Sequence, residues 1–487
     1  MDGTVDTQAG AQTDTEASTE AATTLMQLHD RIEAALSSFA TFMWGPPLVL
    51  LLVGGGIFFL IYSRLLPYRH FGHALGILRG KHDDPDDAEK DAGDISHFRA
   101  LSTALSGTLG LGNIAGVAVA ITAGGPGAVF WMWVTAVVGV ATKFYTCSLA
   151  IMYRGRDSAG ALQGGPMYVV REGLGKGWWP LATLFAVAGL VGTLPVFQVN
   201  QLVQTLREVV AEPAGWVSAD NSFRFDLFSG VVILALVWVV VAGRIQRVGL
   251  VTSRLVPAMV LLYMGMTVTV LSQHVSAIPA AFALIFTDAF SGQAVAGGIL
   301  GAVVMEGVRR GAFSNEAGIG TEVMAHGAAR TREPVREGLV AMLGPVIDTL
   351  LICTCTALVV IVTGAWVDTD SKGVSLTLDA FSSVMPVLGG PLLALMVTLL
   401  SLSTVMTFWY YGSKCLGFLL GAEHQHHYIW FYGALILIGS VVSLDMVLGL
   451  IDGMYAVMAI PTMVASLLLA PHVNAAARSY FRRFNTR

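Results

Sequence analysis

Long apolar blocks separated by short polar or Gly/Pro-rich breaks dominate the chain, as in Pro46–Tyr62, Gly127–Met152 and Leu339–Thr363. Each approaches the roughly 20 residues that cross a bilayer as helix. Counting such blocks gives eleven spans, near residues 45–63, 98–122, 127–152, 178–206, 226–243, 255–273, 291–308, 338–364, 386–418, 428–443 and 451–471. Alternating segments of the barrel type are absent, so the pattern predicts an all-α polytopic membrane protein. Residues 1–28 read as a disordered acidic tail, without the basic-then-apolar pattern of a leader. Residues 29–63 read as an interfacial segment leading through Trp44-Gly45-Pro46-Pro47 into an N-terminal span. A cytoplasmic linker, 64–97, carries the solvated acidic run KHDDPDDAEKDAGDIS at 81–96, and 472–487 form a basic cytoplasmic tail.

Composition narrows the class. Of 487 residues 54% are apolar and 13% charged, against about 25% charged in soluble domains. That is too little charge to cover a water-facing surface, which excludes a soluble enzyme. The net charge of −5 comes without a continuous basic patch, so no nucleic-acid partner is expected. Cys147, Cys353, Cys355 and Cys415 all lie in apolar blocks without zinc-type spacing and read as packing residues. With the first span beginning outside, the loops assigned to the cytoplasm hold 22 Lys and Arg against 4 in the outer segments. The positive-inside rule then puts the N-terminus outside and the C-terminus in the cytoplasm. The localisation expected is a bacterial-type inner membrane.

Two spans carry glycine clusters at mid-depth, Leu109-Gly110-Leu111-Gly112-Asn113 in the second and Ala296-Gly297-Gly298-Ile299-Leu300-Gly301 in the seventh. Glycine weakens a helix by about 1 kcal/mol relative to alanine, and backbone groups released in lipid have no partner. Such breaks persist only beside a protein cavity; close helix packing is the other reading of these glycines. The two spans lie five apart, so 98–273 and 291–471 read as two five-helix repeats of an inverted-repeat secondary transporter with its site at the midplane. Half-helix N-termini offer N–H groups to a carboxylate, and freed carbonyls offer oxygen to a hard cation. The amides of Gln198, Asn200 and Gln201, after Pro195 in the fourth span, are suited to complete a zwitterion site, or else to bond helix to helix.

At these residues the sequence resembles the alanine/glycine:cation symporters, sodium-coupled amino-acid carriers of the LeuT-like fold. The resemblance covers roughly 44–470. It rests on WGPP at Trp44, GNIAGVAVAITAGGPGAVFWMW at Gly112, ATKF at Ala141, GGPMY at Gly164, FQVNQ at Phe197, RGAFSNEAGIGT at Arg310 and GLVAMLGPVIDT at Gly338. It implies a 5+5 inverted repeat with one additional N-terminal transmembrane helix. It further implies that Gly110, Leu111, Gly112 and Asn113 form the unwound part of the first core helix, against which the substrate carboxylate binds. Gln198, Asn200, Gln201, Gly297, Gly298 and Phe408 complete the set of expected substrate-binding residues. By analogy with the wider fold, the carbonyls of Ser106 and Leu109 and the hydroxyls of Ser403 and Thr404 would hold sodium. SNEAG, at 314–318, reads as a cytoplasmic gate or helix cap after the seventh span rather than a substrate contact. Three positions depart from the family pattern: Leu111 in place of Thr, Thr146 in place of Glu, and Phe408 where a Trp is displaced to 409. They imply a divergent pocket for a small or medium neutral amino acid.

Other polar residues inside or beside the spans carry expectations of their own. Asp348, inside the eighth span, is a cation or proton site or an acceptor for neighbouring hydroxyls. Lys143 is expected to snorkel from a span end, Asp445 and Asp452 to be interfacial, and His424-Gln425-His426-His427 to be a hydrophilic turn. No G-x-x-x-x-G-K-[ST], H-E-x-x-H or G-x-S-x-G is present, so neither a nucleotide motor nor a membrane-embedded hydrolase is indicated. The reading is a secondary symporter, not an enzyme. Its partners are a small neutral amino acid, sodium as coupling ion and the lipid bilayer, with no cofactor and no obligate protein partner. A proton-coupled or other-substrate amino-acid carrier of the same fold is the alternative, ahead of a channel or a membrane-embedded enzyme.

Overall fold

The computed structural model describes residue 27 and residues 30–82, 93–217, 222–290, 301–367, 369–371, 373–442 and 445–485. The principal helices are α1 (Asp30–Tyr62), α2 (His97–Thr108), α3 (Gly112–Gly124), α4 (Ala128–Met152), α5 (Lys176–Ala211), α6 (Phe223–Val241), α7 (Arg244–Gln273), α8 (Ala302–Asn315), α9 (Thr321–His326), α10 (Pro334–Thr363), α11 (Gly389–Leu420), α12 (Tyr428–Val441) and α13 (Gly449–Arg483). Among the described residues, α1, α4, α5, α6, α7, α10, α11 and α13 are long and apolar enough to cross a membrane, and the pair α2 and α3, bent by 55°, makes a ninth. The chain is therefore a multi-pass helical membrane protein. Of the other two blocks in the eleven-span reading, α12 has only 14 residues. The seventh is occupied from residue 301 by α8, which carries Glu306, Arg309 and Arg310. Nearly all of the acidic tail and most of the acidic linker lie outside the described residues.

Burial sorts the helices into a centre and a rim. The apolar stretch of α4 is 89% buried, whereas those of α6 and α7 are 33% buried. The rim helices turn Phe228, Val239 and Leu261 outward, which opposes nothing where the surrounding solvent is itself apolar. Down the centre, α8 and α10 both lie along α4, while α5 is clasped by α11 and α13.

Small residues set the closest of these approaches. Gly307 and Gly311, four apart on α8, face α4. A methyl on Gly307 would sit 2.7 Å from Trp131 Cβ and press on the Ala128 carbonyl. This is the small-x-x-x-small device by which membrane helices gain packing area without a hydrophobic drive.

Lys143 does not snorkel. It lies within α4 at 1% exposure, with Glu316, Glu322 and Asp348 as electrostatic partners. Buried carboxylates lie within electrostatic reach of its ammonium.

Overpacking a close helix crossing is destabilising by about 1–3 kcal/mol, so Gly307→Ala should lower the melting temperature of the detergent-purified protein. Gly54→Ala, inside α1 where an added methyl meets nothing within 4 Å, should not lower it. Equal melting of both variants would contradict the α4–α8 packing.

Candidate functional site: two interrupted helices

The first interruption lies where the glycine cluster predicts it. After Thr108 the backbone leaves the helix at Leu109 (ψ 82°) and resumes as a π-helical turn at Gly112–Gly116. The freed Gly110 N–H donates to Asn113 Oδ1 (3.0 Å). Asn113 Nδ2 in turn donates to Ser314 Oγ (3.1 Å) and Asp348 Oδ1 (3.0 Å). Asp348 Oδ1 also accepts from the hydroxyls of Ser314 (2.6 Å) and Thr349 (2.9 Å). Its second oxygen is buried without a hydrogen-bond partner among the described residues.

Gly297 and Gly298, where the second break is expected, lie outside the described residues. A further interruption lies at 316–320, between α8 and α9. Glu316 adopts the left-handed region at φ 56°, followed by Gly318 at 89° and Gly320 at 102°. A side chain at φ > 0 is strained, so a buried Glu316 here has to be held. Its carboxylate accepts hydrogen bonds from the hydroxyls of Tyr455 and Thr321. SNEAG is thus a buried junction facing the first break, not a loop beyond a span. The charges of α8 hid it from hydropathy: Arg309 pairs with Asp452, and Arg310 Nε lies 2.6 Å from Glu306. Arg309, Arg310 and Asp452 all line a cavity, so those two arginines do not belong to a terminal basic loop.

Two cavities meet these breaks. A small one of about 30 Å³ is walled by Gly107, Gly110 and Gly112, by Gln198 and Phe197 of α5, by Phe313 and Glu316, and by Phe408 and Tyr455. A vestibule of about 710 Å³ reaches Gly112 from the side of α3 and α8. Gly112, Phe197, Phe313 and Ile451 border both, forming the partition between them.

The structure brings some of the sequence-predicted residues together and separates others. Gly110, Gly112, Gln198 and Phe408 surround the small cavity. Gln198 Oε1 is buried without a partner among the described residues. Leu111 and Gln201 line the vestibule instead. Asn200 turns away and donates to the Val442 carbonyl (2.9 Å). Asn113 does not border the small cavity; its amide holds the two breaks together. Ser106 and Thr404 meet: the Thr404 hydroxyl lies 2.9 Å from the Ser106 carbonyl, and 3.2 Å from where a Cβ on Gly110 would be. Ser403 donates to the Leu400 carbonyl of its own helix (2.9 Å). Leu109 is buried beside the same break.

On the side of α2 and α9 the protein is shut. Glu337 accepts from His97, at the start of α2, and from His326 Nδ1, at the end of α9 (2.5 Å). Arg154 donates to the carbonyls of Gly327, Ala329 and Thr331, and Lys414 Nζ to that of Gly164 (3.1 Å). Sequence reasoning passed over these residues, since none falls in a glycine break.

Two broken helices facing one another over a small closed pocket, open on one side and bolted on the other, define a secondary transporter rather than an enzyme. The comparisons agree. The sodium:alanine symporter family matches residues 29–487, and the chain belongs to that family. An uncharacterized transporter of Haemophilus influenzae is 36% identical over 463 residues, 93% of this chain and 97% of its own. Sodium/alanine symporter AgcS of Methanococcus maripaludis is 38% identical over 436 residues, 88% of this chain and 93% of its own. The solved structure of MhsT in complex with L-phenylalanine aligns with a TM-score of 0.55, covering 79% of this chain and 98% of that one. Its 12% identity speaks for the LeuT-like fold alone.

Leaving a buried donor or acceptor unpaired is destabilising by about 1–3 kcal/mol. Asn113→Ala leaves the Gly110 N–H only the Thr108 carbonyl (2.8 Å) and removes a donor from Asp348, so it should lower thermal stability as well as abolish uptake. Unaltered melting in a calorimetric scan would show that the amide does not tie the breaks.

Proposed function

We propose that this chain is a sodium-coupled symporter that accumulates a small neutral amino acid, alanine or glycine, by alternating access, with its N-terminus outside. The carrying observation is the meeting of the breaks at 109–111 and 316–320 beside the pocket of Gln198. N–H groups at the start of α3 and the Gln198 amide suit the substrate carboxylate; Gln198 Oε1 and the Glu316 carboxylate suit its ammonium. Phe197, Phe313, Phe408 and Tyr455 confine the side chain, which favours a small one. In the conformation described, the pocket has room for little more than water, so admission requires the Phe197–Phe313 partition to swing aside.

The oxygens of Ser106, Leu109, Ser403 and Thr404 are the proposed sodium ligands. The approach of the Thr404 hydroxyl to Gly110 supports coupling: an ion there stiffens the same backbone that meets the carboxylate. One charge crossing about 100 mV gains about 2.3 kcal/mol. A tenfold sodium gradient adds about 1.4 kcal/mol. Together they sustain accumulation of roughly several hundredfold. A second reading, coupling through a proton or cation at Asp348, is favoured by its unpartnered buried oxygen.

In proteoliposomes, replacing sodium by choline at fixed pH should abolish concentrative uptake of alanine. Persistence of uptake driven by a pH gradient, lost in Asp348→Asn, would favour the second reading. Thr404→Ala should raise the sodium concentration for half-maximal uptake by about tenfold, the equivalent of ~1.4 kcal/mol; an unchanged sodium dependence would remove Thr404 from the site. Gln198→Ala should weaken competition by unlabelled alanine by about tenfold or more, measured on the same vesicles.

A further inference from the structure

Beyond Tyr62 the chain turns through Arg64 and Leu65, both non-glycine residues in the left-handed region at φ 54° and 60°. Between this turn and the last turns of α13 lies a second large cavity, about 750 Å³, far in sequence from either helix break. Arg64, Arg69, Arg478 and Arg482 line it, together with His70. Among the described residues that line it, none is acidic. The vestibule is different, since its arginines face Glu33, Glu208 and Asp452. The guanidinium groups of Arg64, Arg69 and Arg478 crowd one cavity, and an anion among them relieves their mutual repulsion. Next to the cavity the surface becomes apolar: Ile61 is 70% exposed and Leu65 50%, and Phe58 stacks on Tyr62 at 5.1 Å between ring centres. Cationic hollow and apolar strip adjoin at the end of a membrane-crossing helix, where head groups and acyl chains also adjoin.

We propose that this cavity binds the phosphodiester head group of an anionic phospholipid, with Arg64 and Arg478 gripping the phosphate and the acyl chains lying along Phe58 and Ile61. Guanidinium suits phosphate because its planar fork donates to two oxygens at once. A free phosphate shares that chemistry but has no use for the apolar strip, which is why the lipid is the occupant.

The full-length protein, purified in a neutral detergent, is titrated with phosphatidylglycerol, phosphatidylcholine or inorganic phosphate while thermal unfolding is followed. Phosphatidylglycerol should raise the melting temperature and phosphatidylcholine should not. The double variant Arg64→Gln, Arg478→Gln should need about tenfold or more phosphatidylglycerol for the half-maximal shift. Arg64→Lys with Arg478→Lys, which keeps the charge but not the fork, should respond between wild type and the double glutamine variant, and Arg254→Gln, an exposed charge on α7, should retain all of the response. An undiminished response in the double glutamine variant, or an equal response to phosphatidylcholine, would overturn the proposal. A shift of the same size with millimolar phosphate would assign the cavity to a soluble anion and overturn the lipid. Should the double variant not fold, native mass spectrometry of the single variants counts retained anionic lipid; retention equal to wild type would likewise overturn it.

Discussion

Everything in this fold depends on one constraint: a peptide group released from a helix inside a bilayer must find its hydrogen bond within the protein. At the first break the Gly110 N–H is shared between the Thr108 carbonyl (2.8 Å) and the side-chain oxygen of Asn113, whose amide nitrogen reaches Ser314 and Asp348. The same side chain therefore satisfies one interruption and fastens it to the other. The second break has its own supports, with Asn315 Oδ1 accepting the Ala317 N–H (3.0 Å) and Glu316 held by two hydroxyls. Only with these bonds in place can backbone stand open to the pocket, as it does at Gly110 and Gly112.

The two sides of the breaks are built from different interactions. Toward the vestibule, Arg309 and Asp452 pair across a wide cavity, with the Trp44 indole donating to the Asp452 carbonyl (3.0 Å) and the Arg309 guanidinium 5.9 Å from the Trp44 ring centre. The additional N-terminal helix is thereby tied to α8 and α13 at the vestibule wall. Toward α2 and α9, Glu337 is gripped by two imidazoles, and three carbonyls after α9 converge on Arg154. Cations near the carboxyl end of α9 complement its dipole as well as its unpaired carbonyls. Opening that side means breaking several charge-assisted bonds together, whereas the vestibule is already open to Gly112.

How much of this was legible in the sequence follows the same physics. The long apolar helices were, because lipid demands apolar residues along a whole span. So was the break at Gly110, since two glycines flanking one residue do not continue a helix readily. The break at 316–320 was not, because Glu306, Arg309 and Arg310 ended the apolar block too early, although G-I-G after S-N-E-A was a usable signal. The direction of Asn113 was not legible either. An amide beside a break can bond to substrate or to protein, and only the positions of Ser314 and Asp348, more than 200 residues away in the chain, decide between them. Lys143 misled for a related reason: a lysine in a span snorkels unless buried acids hold it, and those acids lie on α9, α10 and the turn before α9.

That last grouping also bears on why a cation belongs in the transport cycle at all. Around the two breaks the buried ionisable groups are Lys143 on one side of the balance and Glu316, Glu322 and Asp348 on the other, all at 2% exposure or less. An isolated carboxylate in a low-dielectric interior is unfavourable by several kcal/mol or more, and one ammonium does not neutralise three. The shortfall of positive charge has to be made up by protons on the acids or by a cation entering from water. Either way the charge balance is set beside the backbone that lines the small cavity, so a proton or cation taken up there acts on the same peptide groups.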